Sequence, residues 1–317
     1  MRLRIILLLG LFLPLLSFGQ STDGDYLAVK TSTFIPLNQW KSNDFQTRLA
    51  NALNANPAYR ALIASKRLAV GIVDMHDPTH IAYATVNGDN MMYAASLPKI
   101  AILLAAEDAL FKGELTETAE IDEDLRMMIA RSDNQAATRM IDRLGYDKIQ
   151  NVLEDPKYRL YSEEQGGGLW VGKRYGSGGD RHPDPLKGLS HAATVNQVCR
   201  FYYMMYYGKL VSPSRSAEMM RIMKDPELHH KFVNTVDQVA PGATMFRKSG
   251  SWKNYHADSI LVDDGGNRRY ILVALAEDAQ GEQIMRDLVR IAEQVMHIPA
   301  SSSNTAPRPF RIDRVHR

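Results

Sequence analysis

SLPKIAILLAAEDAL, residues 96–110, is the stretch on which the fold turns. From Leu97 to Leu110 it is apolar on nearly all sides, with Pro98 in the first turn, where the early N–H groups have no intrahelical partner to lose. A helix apolar all round must be covered all round. The stretch therefore predicts a central buried helix, with other layers packed against it.

Upstream of it, RLAVGIVDM (67–75) and HIAYATV (80–86) read as two strands joined by a short HDPT turn. Ser42 or Asn43 caps a predicted helix with Phe45, Leu49 and Leu53 at helical spacing. Downstream, 121–131 and 134–144 read as helices meeting at Ser132-Asp133, with Gly145 placed to end the second. Residues 155–190 carry GGG and GSGGD and read as a long loop with little regular structure. Helices follow at 194–207 and 214–224, strands at 244–250, 258–263 and 269–276, and a last helix at 281–297 with Ile284, Leu288, Ile291 and Val295 on one face. Strands thus fall at both ends with helices between them. Short turns between neighbouring strands imply antiparallel pairing. The expectation is a two-lobed α/β (α+β) fold: an antiparallel sheet flanked by the N- and C-terminal helices, with an inserted helical lobe and a cleft between.

The chain has 317 residues, 45% hydrophobic and 23% charged, which excludes a disordered or collagen-like chain. Arg2 and Arg4 precede the apolar run Ile5–Leu16 and then Ser17-Phe18-Gly19, the pattern of a cleaved export signal at 1–19. The run is too short to span a bilayer, so no stable membrane anchor is expected. Without Arg2 and Arg4, 36 bases balance 36 acids. That balance offers no footprint for nucleic acid or an anionic membrane, and a monomer acting on a small molecule is expected. An N-terminal extension (20–42), a single domain (43–298) and a disordered Ser/Pro/Arg-rich tail (299–317) complete the layout. Cys199 is the only cysteine; no disulfide within the chain is possible, and a buried structural thiol is expected.

Three short motifs carry the chemistry. Ser96-Leu97-Pro98-Lys99 heads the buried helix, Ser132-Asp133-Asn134 sits at a helix junction, and Lys248-Ser249-Gly250 lies on a predicted strand. S-x-x-K alone is expected about once by chance in a chain this long; all three in order are far rarer. A serine hydroxyl needs a base to become a nucleophile. One helical turn separates Ser96 from Lys99, so Lys99 Nζ is expected to reach Ser96 Oγ. Burial and the neighbouring Lys248 should depress the Lys99 pKa. Ser132 is placed to relay a proton to a leaving nitrogen, and Lys248 with Ser249 to bind a carboxylate. The strand edge after Gly250 offers the Ser251 N–H to an oxyanion.

In these motifs, and in ARSDNQAATRMIDRLG (130–145), GKLVSPSRSAEMM (208–220) and FRKSGSW (246–252), the chain resembles the class A serine β-lactamases and the related penicillin-binding proteins. The resemblance covers roughly residues 43–298. It implies a two-lobed serine hydrolase that opens β-lactam amides through an acyl-enzyme and needs no cofactor or metal. It implies Ser96 as nucleophile, Lys99 as base or base partner, Ser132 as relay, Asn134 as ligand of the substrate amide, Lys248 and Ser249 as carboxylate site, and the Ser96 and Ser251 N–H groups as oxyanion hole.

Three departures accompany it. Ser96 and Ser132 are only 36 residues apart, which implies a trimmed helical lobe. Glu163 and Glu164 stand where a deacylating glutamate is expected, but Gly167 and Gly168 occupy the positions where its asparagine partner would be. The strand after the K-S-G strand has His256 and Asp258, with Lys253 in the turn before it, and no arginine. The acylation set is complete and the deacylation set is not. The sequence therefore admits a β-lactamase, a D,D-peptidase acting on cell-wall peptides, or a non-catalytic binder of either ligand; an intact nucleophile set argues against the last.

The remaining candidates have plainer readings. His76-Asp77-Pro78-Thr79-His80 reads as a polar turn rather than a metal site, and His229-His230 as a solvated pair. Asp133 reads as a structural residue of its junction. Trp170, Tyr175 and Trp252 are candidates for the cleft lining or for plain packing, and FYYMMYY (201–207) for a core-facing helix.

Overall fold

A short 3-10 helix (Leu37–Trp40) precedes Ser42, whose Oγ accepts the Phe45 N–H at 3.3 Å and opens α1 (Asn43–Asn54), with Phe45, Leu49 and Leu53 buried as the spacing predicts. The computed structural model of the protein describes residues 34–299, so the leader read at 1–19, residues 20–33 of the extension and 300–317 of the tail lie outside it. A second helix, α2 (Pro57–Ala64), has no counterpart in the sequence reading, although its signal is there. Asn56 Oδ1 accepts the Ala58 N–H at 2.9 Å, and Pro57 stands at the first helical position.

Strands β1 (Leu68–Asp74) and β2 (Ala82–Val86) form the first hairpin, and the two-residue β3 (Met92–Tyr93) leads to α3 (Lys99–Lys112). Then come α4 (Ala119–Ala130), α5 (Asn134–Leu144) and α6 (Tyr146–Glu154). The last of these also escaped the sequence reading, because Gly145 both ends α5 and starts α6. Four short strands follow: β4 (Tyr161–Ser162), β5 (Gly167–Gly168), β6 (Trp170–Val171) and β7 (His191–Ala193). The chain continues through α7 (Val195–Tyr206), α8 (Pro213–Met223), the unforeseen α9 (Phe232–Val239), β8 (Thr244–Trp252), β9 (Tyr255–Asp263), β10 (Arg269–Glu277) and α10 (Gly281–Val295). No helix among the described residues is long and apolar enough to cross a membrane.

The main sheet is antiparallel in the order β2-β1-β10-β9-β8, which leaves β8 on an open edge. Alternate residues feed two cores. Val70, Ile72, Ile260 and Leu272 pack with α1, α9 and α10 on one face. Ala69, Val73, Leu261 and Val273 pack with α3 and α7 on the other. The expected architecture holds: terminal helices cover one face and the inserted helical block the other. Buried on every side from Lys99 to Ala109, α3 runs through the larger core. Cys199 is fully buried in the same core, which pushes its thiol pKa up.

The 155–190 segment has little regular structure, as expected: three two-residue strands and one 3-10 turn. It is tied down at several points rather than loose. β6 pairs with β7, which pairs with β3, so this segment forms a small sheet under the head of α3. The buried Asp184 carboxylate accepts the backbone N–H groups of Leu186, Lys187 and Leu189. His182 is stacked between Tyr146 and Trp170, with ring centroids 5.7 and 5.6 Å away. Polar side chains here replace the backbone ladders that sequence periodicity detects.

Of the two buried acids inside α3, Asp108 pairs with Lys112 and Lys148, whereas Glu107 is poorly partnered. Glu107 is inaccessible, its Oε1 has no hydrogen-bond partner, and its Oε2 meets Arg215 Nη1 only at 3.4 Å. Burial pushes its pKa up to about 8, with Arg215 pulling only partly back. The folded state thus binds this proton more tightly than the unfolded chain. Its stabilising contribution is complete below the ordinary glutamate range and is lost as pH rises towards about 8. Glu107→Gln is therefore expected to gain thermal stability relative to wild type as pH rises from 5 to 8. Melting curves of the two proteins across that range check it; a constant offset would refute the assignment.

Candidate active site

Ser96 lies in a tight turn that precedes α3 rather than in its first regular turn. The turn is closed by Leu97 N–H to Ala94 O at 3.0 Å and Lys99 N–H to Ser96 O at 3.2 Å. Ala94 N–H in turn donates to His191 O at 2.9 Å, which fastens the turn to β7. Ala95 is held at φ 50°, a left-handed conformation costing a non-glycine residue on the order of 1–3 kcal/mol. Ser132, between α4 and α5, is likewise at φ 58°. The fold sustains both strained residues where they flank the same cleft.

Lys99 is fully buried. Its ammonium donates to Ser132 O at 2.7 Å, Asn134 Oδ1 at 2.8 Å, Asp133 O at 3.3 Å and Ser132 Oγ at 3.4 Å, and lies 4.4 Å from the centre of the Tyr175 ring. This corrects one expectation. Lys99 meets the S-D-N junction, and none of its hydrogen bonds goes to Ser96 Oγ, because four oxygens draw the ammonium towards α5. Burial lowers its pKa to about 7, with Asp133 opposing, so a neutral amine is within reach near neutral pH. Lys248, also buried, donates to Ser132 Oγ and to Ser249 O, both at 2.9 Å. Its pKa falls well below the ordinary lysine value, through burial first and then through the positive charges of Lys99 and Arg247.

Ser132 Oγ thus accepts from two ammonium groups, which leaves its own proton to donate. Asn134 has committed its carbonyl oxygen to Lys99, which leaves its N–H₂ group for a ligand carbonyl. Asp133 is structural as expected: its Oδ1 caps α5 by accepting the Ala136 N–H at 2.7 Å.

Gly250 shows why this strand position must lack a side chain. A Cβ there would lie 2.2 Å from Ala94 O and 2.6 Å from Ser96 N. β8 therefore presses its backbone directly against the Ser96 turn. Ser96 and Ser251, the residue after Gly250, both line the cleft.

The cleft has a volume of about 730 Å³. Ser96, Asn134, Ser251 and Trp252 line it, joined by Tyr93, Lys173, Tyr175, His191 and Tyr255 among others. Of the three aromatic candidates, Tyr175 and Trp252 line the cleft, whereas Trp170 is core, 1% exposed. No lining residue is an acid. Glu163 and Glu164 are exposed on a 3-10 turn after β4 and do not line the cleft. Glu163 and Glu164 are separated from it because β5 and β6 carry the chain from that turn before Lys173 and Tyr175 arrive. His191 is pulled down to a pKa of about 4 by burial and is neutral. Its Nε2–H donates to Lys173 O at 2.9 Å, so it holds the cleft wall and has no proton on Nδ1.

Sequence reasoning missed His191 and Lys173 because no motif contains them. It also misplaced His230, which is half-buried with Nε2 3.4 Å from Ser249 Oγ, while only its neighbour His229 is a surface residue, paired with Asp237. The arginine absent from β9 has no direct replacement there: Asp258 on that strand instead takes Arg247 of β8 in a buried pair at 2.7 Å.

Residues 117–297, more than half of the chain, match the family described as the Beta-lactamase enzyme family, a span that includes Ser132 and Lys248. No curated protein matches the sequence. Among solved structures, a β-lactamase from Sphaerobacter thermophilus superposes with a TM-score of 0.61 at 20% identity, covering 80% of this chain and 98% of that one. PBP-A gives 0.59 at 20% identity over 84% and 99%. A PBP-A variant captured as an acyl-enzyme with penicillin G gives 0.61 at 19% identity over 83% and 99%. At these identities the likeness establishes the β-lactamase/transpeptidase-like fold.

Proposed function

The chain belongs to the Beta-lactamase enzyme family, and from that premise we propose that it is an exported serine hydrolase that opens β-lactam amides by acylating Ser96. The observation that carries the reading is the hydrogen-bonded cluster of Lys99, Ser132 and Lys248, joined through Asn134 to the cleft that Ser96 lines, with Gly250 packed on the Ser96 turn. In the proposed reaction neutral Lys99 takes the Ser96 proton, directly after a small side-chain swing or through Ser132. The alkoxide attacks the amide carbon, and the oxyanion is held by the Ser96 and Ser251 N–H groups. Ser132 then passes its proton to the leaving nitrogen and regains one from the Lys99 ammonium, while Lys248 and Ser249 are the groups that would hold the substrate carboxylate. Ser96 leaves this step as an ester, which water must hydrolyse to close the cycle.

A second reading is favoured by the cleft lining. A site without a carboxylate suits a D,D-peptidase that is trapped by β-lactams, as the PBP-A likeness with penicillin G also suggests. Both readings require Ser96 to be acylated by penicillin. Intact mass after incubation is expected to rise by one ligand, and release of D-alanine from a D-Ala-D-Ala peptide, against turnover of a chromogenic cephalosporin, separates them. A protein that gains no mass with penicillin and turns over neither the cephalosporin nor the peptide contradicts both.

A further inference from the structure

The segment before α9 places a lysine beneath the strand edge of the cleft. Lys231 is only 1% exposed, and its Nζ donates to Gly250 O at 2.5 Å and to Ala257 O at 3.1 Å. These two residues face each other across β8 and β9. We propose that Lys231 is a positioning residue of the oxyanion hole, acting through the Gly250–Ser251 peptide: by holding the Gly250 carbonyl, its ammonium aims and strengthens the Ser251 N–H as a donor. The proposal rests on the reading of Ser96 as an acylated nucleophile.

The geometry follows from the peptide bond. The C=O of Gly250 and the N–H of Ser251 belong to one planar unit, and every peptide among the described residues is trans. The two groups therefore point in opposite directions. With the oxygen drawn inwards to Lys231 and β9, the N–H faces away from both, and β8 is the edge strand. Ser251 lines the cleft there, beside the turn on which Gly250 packs. A cation on the carbonyl also shifts electron density along the amide, making the N–H more acidic and a better donor to a negative oxygen.

Two further observations mark the lysine as more than packing. Lys231 itself sits at φ 56°, ψ −122°, a backbone conformation that strains a side-chain-bearing residue. No carboxylate lies within ion-pair distance of it among the described residues. Asp258, the nearest charge partner in the cluster, is taken by Arg247 at 2.7 Å and by the Phe232 N–H at 3.1 Å. A buried ammonium with carbonyl partners alone is costly to maintain. Burial lowers its pKa only to about 8, with Asp258 opposing, so it keeps its charge at pH 7.

The test has an arm that needs no substrate. In the wild-type protein a scalar coupling across the hydrogen bond is expected between Lys231 ¹⁵Nζ and the Gly250 carbonyl carbon. Lys231→Met is expected to move the Ser251 amide ¹H and ¹⁵N resonances, and Lys231→Gln, which keeps a neutral donor, to move them less. In the second arm, penicillin acylation of Lys231→Met should slow by about ten- to a hundredfold with little change in KM. That is at or below the roughly 10²–10³-fold cost of losing an oxyanion donor outright. The infrared band of the acyl-enzyme ester carbonyl should move to higher wavenumber, a shift that general loosening of the fold would not produce selectively. Failure of the wild type to acylate would refute the proposed function while the first arm still judges Lys231. An absent coupling, or acylation and carbonyl band both unchanged in the variants, overturns the role of Lys231.

Discussion

Ser96→Ala is expected to take up no penicillin at all, and Lys99→Met to acylate about 10²–10⁴-fold more slowly than wild type, the range typical of a lost general base. The structure explains why Lys99 suits this role despite its hydrogen bonds to the S-D-N junction. Burial brings its pKa down to about 7, so a large fraction is already neutral at physiological pH. Wild-type acylation should therefore rise with pH through about 7, as the amine loses its proton, and flatten above it. Lys99→Met should lose that inflection together with the rate. Intact-mass time courses from pH 5 to 9 check both points. Unchanged label in Ser96→Ala would remove Ser96 from the mechanism; an inflection that survives in Lys99→Met would hand the base to another group, with Lys248 the nearest candidate.

A chromogenic cephalosporin is expected to give a burst of about one product per enzyme, followed by a slow steady rate. Attack on the ring needs a nucleophile, a base, a proton donor and an oxyanion hole, and the proposed reaction assigns Ser96, Lys99, Ser132 and the Ser96 and Ser251 N–H groups to them. Hydrolysis of the resulting ester needs a base that holds water against it, and no carboxylate lines the cleft. Water must then approach without orientation or a general base, a loss of about 10²–10⁴-fold. Glu163→Gln and Glu164→Gln should leave both phases unchanged, since both residues stand on an exposed turn outside the lining. Stopped-flow traces of wild type and the two variants decide the matter: a fast linear rate without a burst, abolished by either change, would establish a deacylating glutamate and overturn this account.

The sequence by itself determined the frame. Fourteen consecutive residues with scarcely a polar face, 97–110, can be covered only from all sides, and α3 is the buried centre of the molecule. Short turns between neighbouring strands implied antiparallel pairing, and Ser42, Asp133 and Gly145 act at helix ends as their chemistry predicts. The three motifs were legible because each is short in sequence and each carries its own local reason. Helices α2, α6 and α9 were missed because each is short, eight or nine residues, and owes its place to packing more than to a long periodic face.

Only the tertiary structure decided what surrounds the motifs. It turned Lys99 towards Ser132 and Asn134 instead of Ser96, placed Glu163 and Glu164 outside the cleft, and brought Tyr175 over the Lys99 ammonium. It also set Lys231 under Gly250 and His230 beside Ser249, across 19 residues of chain in each case. A spacing rule sees neighbours one turn or one pleat apart. The direction of a long flexible side chain is chosen instead by the oxygens that different elements present to it in three dimensions, and no local pattern records them.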